Sequence, residues 1–284
     1  MRFGAVLPFV SEKQFVDLAR IAEDSGWDMV LTWEAVWAQD AWATLAAAAT
    51  VTERIRLGTL ITPVSRYRPW DLASRVGSVD RLSDGRVTLG VGLGALHDNW
   101  LAFEPDEGRG VRAAKVDEGL AVYAGLLGGG PFEFSGEHWT ARPVEMLAPP
   151  PPVQRPHPPV WCVGALVPGV DRQRSLERAA RWQGVLPAVV GGTVDDPGSR
   201  LTPSTLREVV DRIAALRAEA GHTMDGYDVV VEGDSHGDFG DVRPPVEPWR
   251  EAGATWWVES WWDLPDSDEG RTELRRRLEL GPQR

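Results

Sequence analysis

Residues 53–94 read ERIRLGTLITPVSRYRPWDLASRVGSVDRLSDGRVTLGVGLG and contain a strand, a helix and a second strand in succession. The apolar run 55–61 predicts the first strand, and residues 86–91 predict the second. Between them, Pro69 opens a helix whose buried face carries apolar residues at helical spacing, and Asp84-Gly85 predicts a turn. A strand, a helix and another strand in this order form the repeating unit of a parallel α/β sheet.

The same alternation of strand and helix patterns runs along the rest of the chain. The predicted strands are apolar on both faces, as parallel strands covered by helices must be. They lie at residues 2–8, 28–32, 55–61, 86–91, 159–163, 184–187, 227–232 and 255–259. Eight such units in 284 residues predict a single α/β domain, a (β/α)₈ TIM barrel spanning residues 1–284. The alternative is a doubly wound open sheet.

Three segments stand outside this alternation. Residues 92–110 are predicted to form a long loop, residues 132–141 a short hairpin, and residues 149–159, PPPPVQRPHPP, a stiff proline-rich connector. We expect these segments to add to the barrel without interrupting it.

Composition excludes several classes of function. The net charge of −12 opposes binding to a phosphate backbone, so no nucleic acid partner is expected. The single cysteine, Cys162, forbids an internal disulfide and fits a reducing, cytoplasmic setting. No run of 18 apolar residues predicts a membrane span, and the N-terminus is typical of a strand rather than a signal peptide. No metal-binding motif is present, so no metal site is predicted.

Fourteen tryptophans are an unusual number, and several fall near predicted strand ends. One interpretation is core and interface packing. The other is an aromatic pocket for a planar ligand or an apolar substrate. The pocket interpretation selects Trp33, Trp37, Trp161 and Trp261.

In a TIM barrel the active site lies at the carboxyl ends of the strands, which selects short windows of sequence. In the window after the fourth strand, Gly90, Gly92 and Gly94 either leave bare backbone for a flat ring or form a turn in a tapering barrel. In the window after the fifth strand, Arg172 and Arg174 stand at the start of a helix. They either hold a phosphate or lie on the surface.

Acid–base candidates also follow from these windows. Glu34, Glu232 and Glu259 end strands, where each serves as a hydrogen-bond partner or two of them hydrolyse a glycosidic bond. His97, in the long loop, is the best-placed histidine. It is either an acid–base group or a loop residue without a catalytic role.

Residues 53–94 resemble the signature core of the bacterial luciferase-like monooxygenase family. Further stretches resemble that family in the same order along the chain. They are RAAKVDEGLAVYAGLLGGGPFEFSGEHW at 112–139, PVQRPHPPVWCVG at 152–164, SLERAARWQGVLP at 175–187 and EAGATWWVESWW at 251–262. The similarity covers nearly the whole chain.

The resemblance implies a (β/α)₈ barrel, often dimeric, that binds FMN or the deazaflavin coenzyme F420 at its mouth. A backbone bulge, often with a non-prolyl cis peptide, is expected at Thr59-Leu60. The neighbours of the ring are expected to include Thr62, Gly92 and Leu93. The resemblance places the cofactor phosphate near Gly164, Ala165 and the helix that carries Arg172 and Arg174.

The sequence departs from the family pattern at three places, one of which is the phosphate loop GALVPG at 164–169, where the Ser or Thr often found in the family is absent. Trp33-Glu34 replaces an acidic–histidine pair of many deazaflavin relatives, and Leu93 replaces an arginine that binds phosphate in some luciferase relatives. The usual acid–base residue is therefore either missing or replaced by Glu34, and with His97 from the long loop Glu34 is a catalytic candidate.

The resemblance implies a flavin-dependent oxidoreductase that acts on a small hydrophobic substrate as a homodimer. The reaction is either monooxygenation with reduced FMN, supplied by a separate flavin reductase, or hydride transfer with F420. A flavin carrier without turnover and a glycoside hydrolase are the alternatives.

Overall fold

The computed structural model describes residues 1–96, 99–144, 147–190, 201–235 and 245–282. Within these ranges eight parallel strands form a closed ring: β1 Arg2–Val6, β2 Met29–Thr32, β3 Arg56–Thr59, β4 Val87–Gly92, β5 Val160–Leu166, β6 Gly184–Val189, β7 Asp228–Gly233 and β8 Trp256–Ser260. Each strand pairs with its neighbour in sequence, and β8 pairs with β1 to close the ring. The predicted TIM barrel is confirmed, and the open-sheet alternative is wrong.

Helices follow the strands and cover the outside of the ring. In the described ranges they are α1 Glu12–Asp24, α2 Ala41–Ala49, α3 Pro69–Leu82, α4 Arg109–Gly128, α5 Arg174–Ala180, α6 Pro203–Glu219, α7 Glu247–Glu251 and α8 Asp268–Glu279. Local signals set several of their first turns. Ser11 and Gln14 form the predicted capping box of α1, while Asp40, Thr202 and Ser267 cap α2, α6 and α8.

The extra segments lie between β4 and β5. The hairpin is confirmed by a two-stranded pairing of Phe134–Ser135 with Thr140–Ala141. The prediction of a loop throughout 92–110 is wrong in part, because Trp100–Phe103 forms a short helix. The indole of Trp100 is buried, so this turn of helix is fixed by packing that a single sequence does not reveal.

The chain turns inward directly after β3 and forms the expected bulge. It passes through a cis peptide at Leu60–Ile61, one residue later than predicted, and rejoins the barrel as the short strand Thr62–Pro63 beside β4. The Thr59 hydroxyl donates to the carbonyl oxygen of Gly90 at 3.1 Å, and the Thr62 hydroxyl donates to Thr59 Oγ1 at 2.9 Å. These buried hydrogen bonds hold the bulge against β4.

The glycines of β4 make room for this bulge. A Cβ atom at Gly90 would lie 2.2 Å from the carbonyl oxygen of Thr59. A Cβ atom at Gly94 would lie 2.5 Å from the Trp100 ring, and Gly94 also has a positive φ of 80°. Gly90 and Gly94 therefore lack side chains because the bulge and Trp100 pack against them, and not only to leave room for a ligand.

The interior of the barrel is closed at the amino ends of the strands by two tryptophans. Trp161 and Trp256 pack edge to face, with ring centroids 5.4 Å apart. Both indole N–H groups donate to Asp228, at 3.0 and 2.9 Å. Trp161 is the second residue of β5 and is fully buried, so its predicted place in a substrate pocket at the mouth is wrong.

Replacing Gly90 with alanine tests the contact between the bulge and β4. We expect Gly90→Ala to lower the free energy of unfolding by about 1–3 kcal/mol or more, because the backbone of Thr59 has to shift. Urea denaturation measures the loss. Gly128→Ala is the matched control, since a Cβ atom at this helical glycine meets nothing within 4 Å. Equal free energies of unfolding of the two variants would show that the approach of the Thr59 carbonyl group to Gly90 does not exclude a side chain.

Candidate functional site

A cavity of about 740 Å³ opens at the carboxyl ends of β4 and β5, beside the first turns of α4 and α5. This volume is in the range of small-molecule sites. The residues predicted to contact a cofactor that line the cavity are Gly92, Leu93, Ala165, Arg172 and Arg174. Sequence reasoning missed Ile61, Val163 and Arg109, which also line it.

The other predicted cofactor residues lie behind or beside the cavity wall. Thr59 and Thr62 are buried and bonded to each other, and Leu60 packs into the barrel interior. Gly164 faces outward, because its Cβ atom would lie 2.7 Å from Val185 and 2.9 Å from Leu176. The expectation that Gly164 contacts a phosphate is therefore replaced by a packing role that lets α5 approach β5.

The loop from β5 to α5 is held by its own side chains. The Gln173 side chain accepts a hydrogen bond from Val167 N at 2.8 Å and donates to the carbonyl oxygens of Val167 and Val170. The Ser175 hydroxyl accepts from Ala165 N and donates to the Ala165 carbonyl, both at 3.1 Å. Sequence reasoning missed Gln173 and Ser175. Their hydrogen bonds fix where the cationic start of α5 meets the cavity.

Positive charge collects at the outer end of the cavity. Arg109 is the first residue of α4 and Arg174 the first residue of α5, and both line the cavity. Arg172 is exposed and pairs with Glu177 at 2.9 Å. The free amides in the first turn of the long helix α4 add to this positive potential. The end near these arginines suits an anionic group, whereas the wall at Gly92 and Val163 is apolar.

The predicted aromatic residues separate into two sets. Trp33 packs edge to face against Phe9 and Trp262 at the mouth, with ring centroids 6.2 and 5.7 Å apart. Trp37 is 86% exposed at the rim. Trp261 is fully buried against Trp27, with ring centroids 6.0 Å apart, so its predicted place in the substrate pocket is wrong.

The strand-end carboxylates differ in what they contact. Glu259 is buried, and its oxygens accept from Ser235 N at 2.9 Å, from the Ser235 hydroxyl and from Trp257 Nε1 at 2.9 Å. Glu232 is exposed and accepts from Trp262 Nε1 at 2.7 Å. Glu259 is thus a structural acceptor, which removes one of the carboxylates considered for glycoside hydrolysis. His97 lies outside the described residues.

Glu34 stands apart from the other two carboxylates. Tyr67 donates its phenolic O–H to Glu34 Oε1 at 2.6 Å, while the enclosed Oε2 meets no hydrogen-bond partner among the described residues. Desolvation raises the pKa of Glu34, although the hydroxyl groups of Thr62 and Tyr67 and the charge of Arg66 act in the opposite direction. This carboxyl group therefore keeps its proton to a higher pH than an exposed glutamate does.

Tyr67 is itself fixed from two sides. Its own burial, and then the neighbouring Glu34, raise the pKa of Tyr67, so the phenol remains a donor. The guanidinium of Arg75 lies over its ring, 5.8 Å from the centroid, and pairs with Asp40 at 3.1 Å. Sequence reasoning missed Tyr67, because its partner Glu34 is 33 residues away in the chain.

The described part of the chain contains no group of three or more histidine, cysteine, aspartate or glutamate residues that could hold a metal ion. Among the same residues, no helix has both the length and the apolar character needed to cross a bilayer.

The raised pKa of Glu34 predicts a pH dependence of stability. Between the usual value of 4.5 and the higher pKa of the folded state, the unfolded chain loses the Glu34 proton first. The free energy of unfolding of the wild type should therefore fall relative to Glu34→Gln as pH rises, by at most about 1.4 kcal/mol per pH unit. Urea denaturation at several pH values measures the difference, and parallel curves would contradict the protonated state.

Comparison with protein families gives a match over most of the chain. The family model described as luciferase-like monooxygenase matches residues 1–236. Among curated proteins, the uncharacterized protein y4wF of Sinorhizobium fredii is 29% identical over 183 residues. That alignment covers 64% of this chain and 46% of the relative, so the chain spans about half the length of that curated relative.

Solved structures with the same architecture include enzymes of two cofactor types. The coenzyme F420-dependent tetrahydromethanopterin reductase from Methanopyrus kandleri has a TM-score of 0.73 at 19% identity, over 97% of both chains. An F420-dependent secondary alcohol dehydrogenase has a TM-score of 0.73 at 18% identity, also over 97% of both chains. The oxygenating constituent of 3,6-diketocamphane monooxygenase from Pseudomonas putida, in complex with FMN, has a TM-score of 0.66 at 20% identity, over 82% of this chain and 67% of that one. At these identities the likeness concerns the fold.

Proposed function

The chain belongs to the luciferase-like monooxygenase family, and on this premise we propose that it is an oxidoreductase that binds FMN or coenzyme F420 in the cavity beside β4 and β5. The single observation that carries the proposal is the composition of this cavity. An apolar wall formed by Ile61, Gly92 and Val163 continues into an outer end that bears Arg109 and Arg174. This combination matches a flat ring with an anionic tail.

The residues present fit either cofactor. Ile61, Gly92 and Val163 would lie against the ring, and Arg109 and Arg174 would hold the phosphate by charge and hydrogen bonds. When bound, reduced FMN supplies electrons for the activation of dioxygen, whereas F420 supplies or accepts a hydride. The protein binds and orients the cofactor and keeps water from the apolar wall.

We assign Glu34 the role of proton donor and acceptor for the substrate. Its Oε2 is enclosed and has no hydrogen-bond partner in the part of the chain that the structure describes, and Tyr67 fixes the other oxygen. Thr62, at the end of the bulge, lies next to this carboxyl group and next to the β4 residues that flank the cavity. Its raised pKa brings this carboxyl group closer to the range in which an acid–base group works best.

The apolar part of the substrate would rest on the aromatic group of Phe9, Trp33 and Trp262 at the mouth. If the cofactor is FMN, a separate flavin reductase would deliver it in the reduced form. The proposal thus adds a substrate class, small organic molecules, and two possible reactions, monooxygenation with reduced FMN or hydride transfer with F420.

Titration of the apoprotein with FMN and with F420 tests the proposal. We expect one of them to bind, as followed by quenching of cofactor fluorescence or by calorimetry. Arg174→Gln should weaken binding about 10- to 100-fold, the value of one or two charge-assisted hydrogen bonds. Arg275→Gln, which removes an exposed arginine from α8, is the control for net charge and should bind normally. Failure of both cofactors to bind would refute the proposal.

A further inference from the structure

Four side chains at the rim hold enclosed hydrogen-bond donors that meet no acceptor within the described ranges. The atoms are Ser65 Oγ, Arg66 Nε, Trp100 Nε1 and Arg112 Nε. More than nine in ten buried polar groups in native proteins are paired, so several unpaired ones at one place require an explanation. All four are able to donate and three of them only donate, which indicates that the missing partner is an acceptor.

These side chains come from three elements that converge on one indole ring. Arg66 ends the turn after the bulge, Trp100 lies in the short helix, and Arg112 lies in the first turns of α4. The guanidinium carbons of Arg66 and Arg112 are each 5.5 Å from the centroid of the Trp100 ring. We call Ser65, Arg66, Trp100 and Arg112 the rim cluster.

The charges of the rim cluster do not balance. Asp106 pairs with Arg112 Nη1 at 3.2 Å, and the Arg112 side chain is only 9% exposed. For Arg66, the described part of the chain provides no ion pair and no hydrogen bond. Arg112 is thus largely desolvated beside one carboxylate, and the partly buried Arg66 acts on the carboxyl group of Glu34 without pairing with it, so a further anion would stabilise the cluster.

The rim cluster lies between the two parts of the proposed active site. On one side, Gly94 lines the cavity, and its backbone packs directly against Trp100. On the other side, Arg66 precedes Tyr67 in the chain, and its charge acts on Glu34. Arg66 is only partly buried, so a ligand is able to reach its guanidinium from the mouth.

We propose that the rim cluster binds the anionic group of the substrate, and that the substrate is a small organic acid or phosphate ester. The carboxylate or phosphate would enter at the partly buried guanidinium of Arg66 and accept from Ser65, Trp100 and Arg112 after these enclosed side chains move apart, and the reacting end would extend toward the cavity and Glu34. This inference rests on the proposed oxidoreductase function and narrows its substrate class. The apolar substrate expected from the sequence thereby gains an anionic end.

The indole N–H of Trp100 provides a direct test, because anion binding gives it an acceptor. Its resonance in a nitrogen–proton correlation spectrum is assigned by its loss in Trp100→Phe. The apoprotein is titrated with acetate and, separately, with inorganic phosphate at constant ionic strength. We expect a saturable downfield shift of this resonance with at least one of the two, and the stronger binder identifies the class of anion.

Two arginine variants separate the rim cluster from the cavity. Arg66→Gln should weaken the anion-dependent shift about tenfold or more, and Arg66→Lys, which keeps the charge, should restore part of it. Arg174→Gln, which removes a cation from the cavity, should leave the shift unchanged. The remaining indole resonances report whether each variant is folded.

Several results would overturn the inference. They are a Trp100 resonance that neither anion moves, a shift that is equal in the wild type and in folded Arg66→Gln, and a shift that Arg174→Gln abolishes. Because the titration uses the apoprotein, its outcome is independent of FMN and F420 binding. Failure of the cofactor titration with success here would refute the oxidoreductase and leave the anion site in place.

Discussion

The contact between the carbonyl group of Thr59 and the bare α-carbon of Gly90 determines the architecture of the mouth. A side chain at Gly90 would occupy the position of that carbonyl oxygen, so the inward turn after β3 depends on this glycine. The turn places Ile61 on the cavity wall and Thr62 beside Glu34. The residues that follow it carry Ser65, Arg66 and Tyr67 to the rim. One close backbone approach thus sets the cavity, the carboxyl group and the rim cluster relative to each other.

The barrel could be predicted from sequence because its signals are local. Each strand is a short apolar run, and caps such as Ser11 with Gln14 mark where a helix begins. The side-chain direction within a strand was harder to infer. Trp161 lies at the start of β5, at the closed end of the barrel, and Trp261 packs under α8. How far a strand residue lies from the mouth, and whether it faces inward or outward, depends on the register of the strand. Pairs such as Glu34 with Tyr67 arise only when distant segments meet, so no local pattern contains them.

Charge is distributed unevenly in this acidic protein. The net charge is −12, yet Arg109 and Arg174 stand at the cavity and Arg66 at the rim. In a protein of net negative charge, arginines at a cleft give anions a local site of positive potential. Glu34 lies beside this cleft, where desolvation raises its pKa while the hydrogen bond from Tyr67 acts in the opposite direction. The mouth therefore combines arginine side chains with a carboxyl group whose pKa is raised by burial.

Asp80 limits how far a change in the segment between β4 and β5 affects the rest of the barrel. Its buried carboxylate accepts from Val153 N and from the backbone and side-chain amides of Gln154, and Gln154 also donates to the carbonyl oxygen of Val87. The chain is thereby re-anchored to α3 and β4 just before it enters β5. Insertions or deletions near the exposed hairpin tip at Gly136 change the chain before this anchor. They leave the pairing of β5 with its neighbouring strands unchanged. The length of the segment between β4 and β5 can therefore change while the barrel itself stays the same.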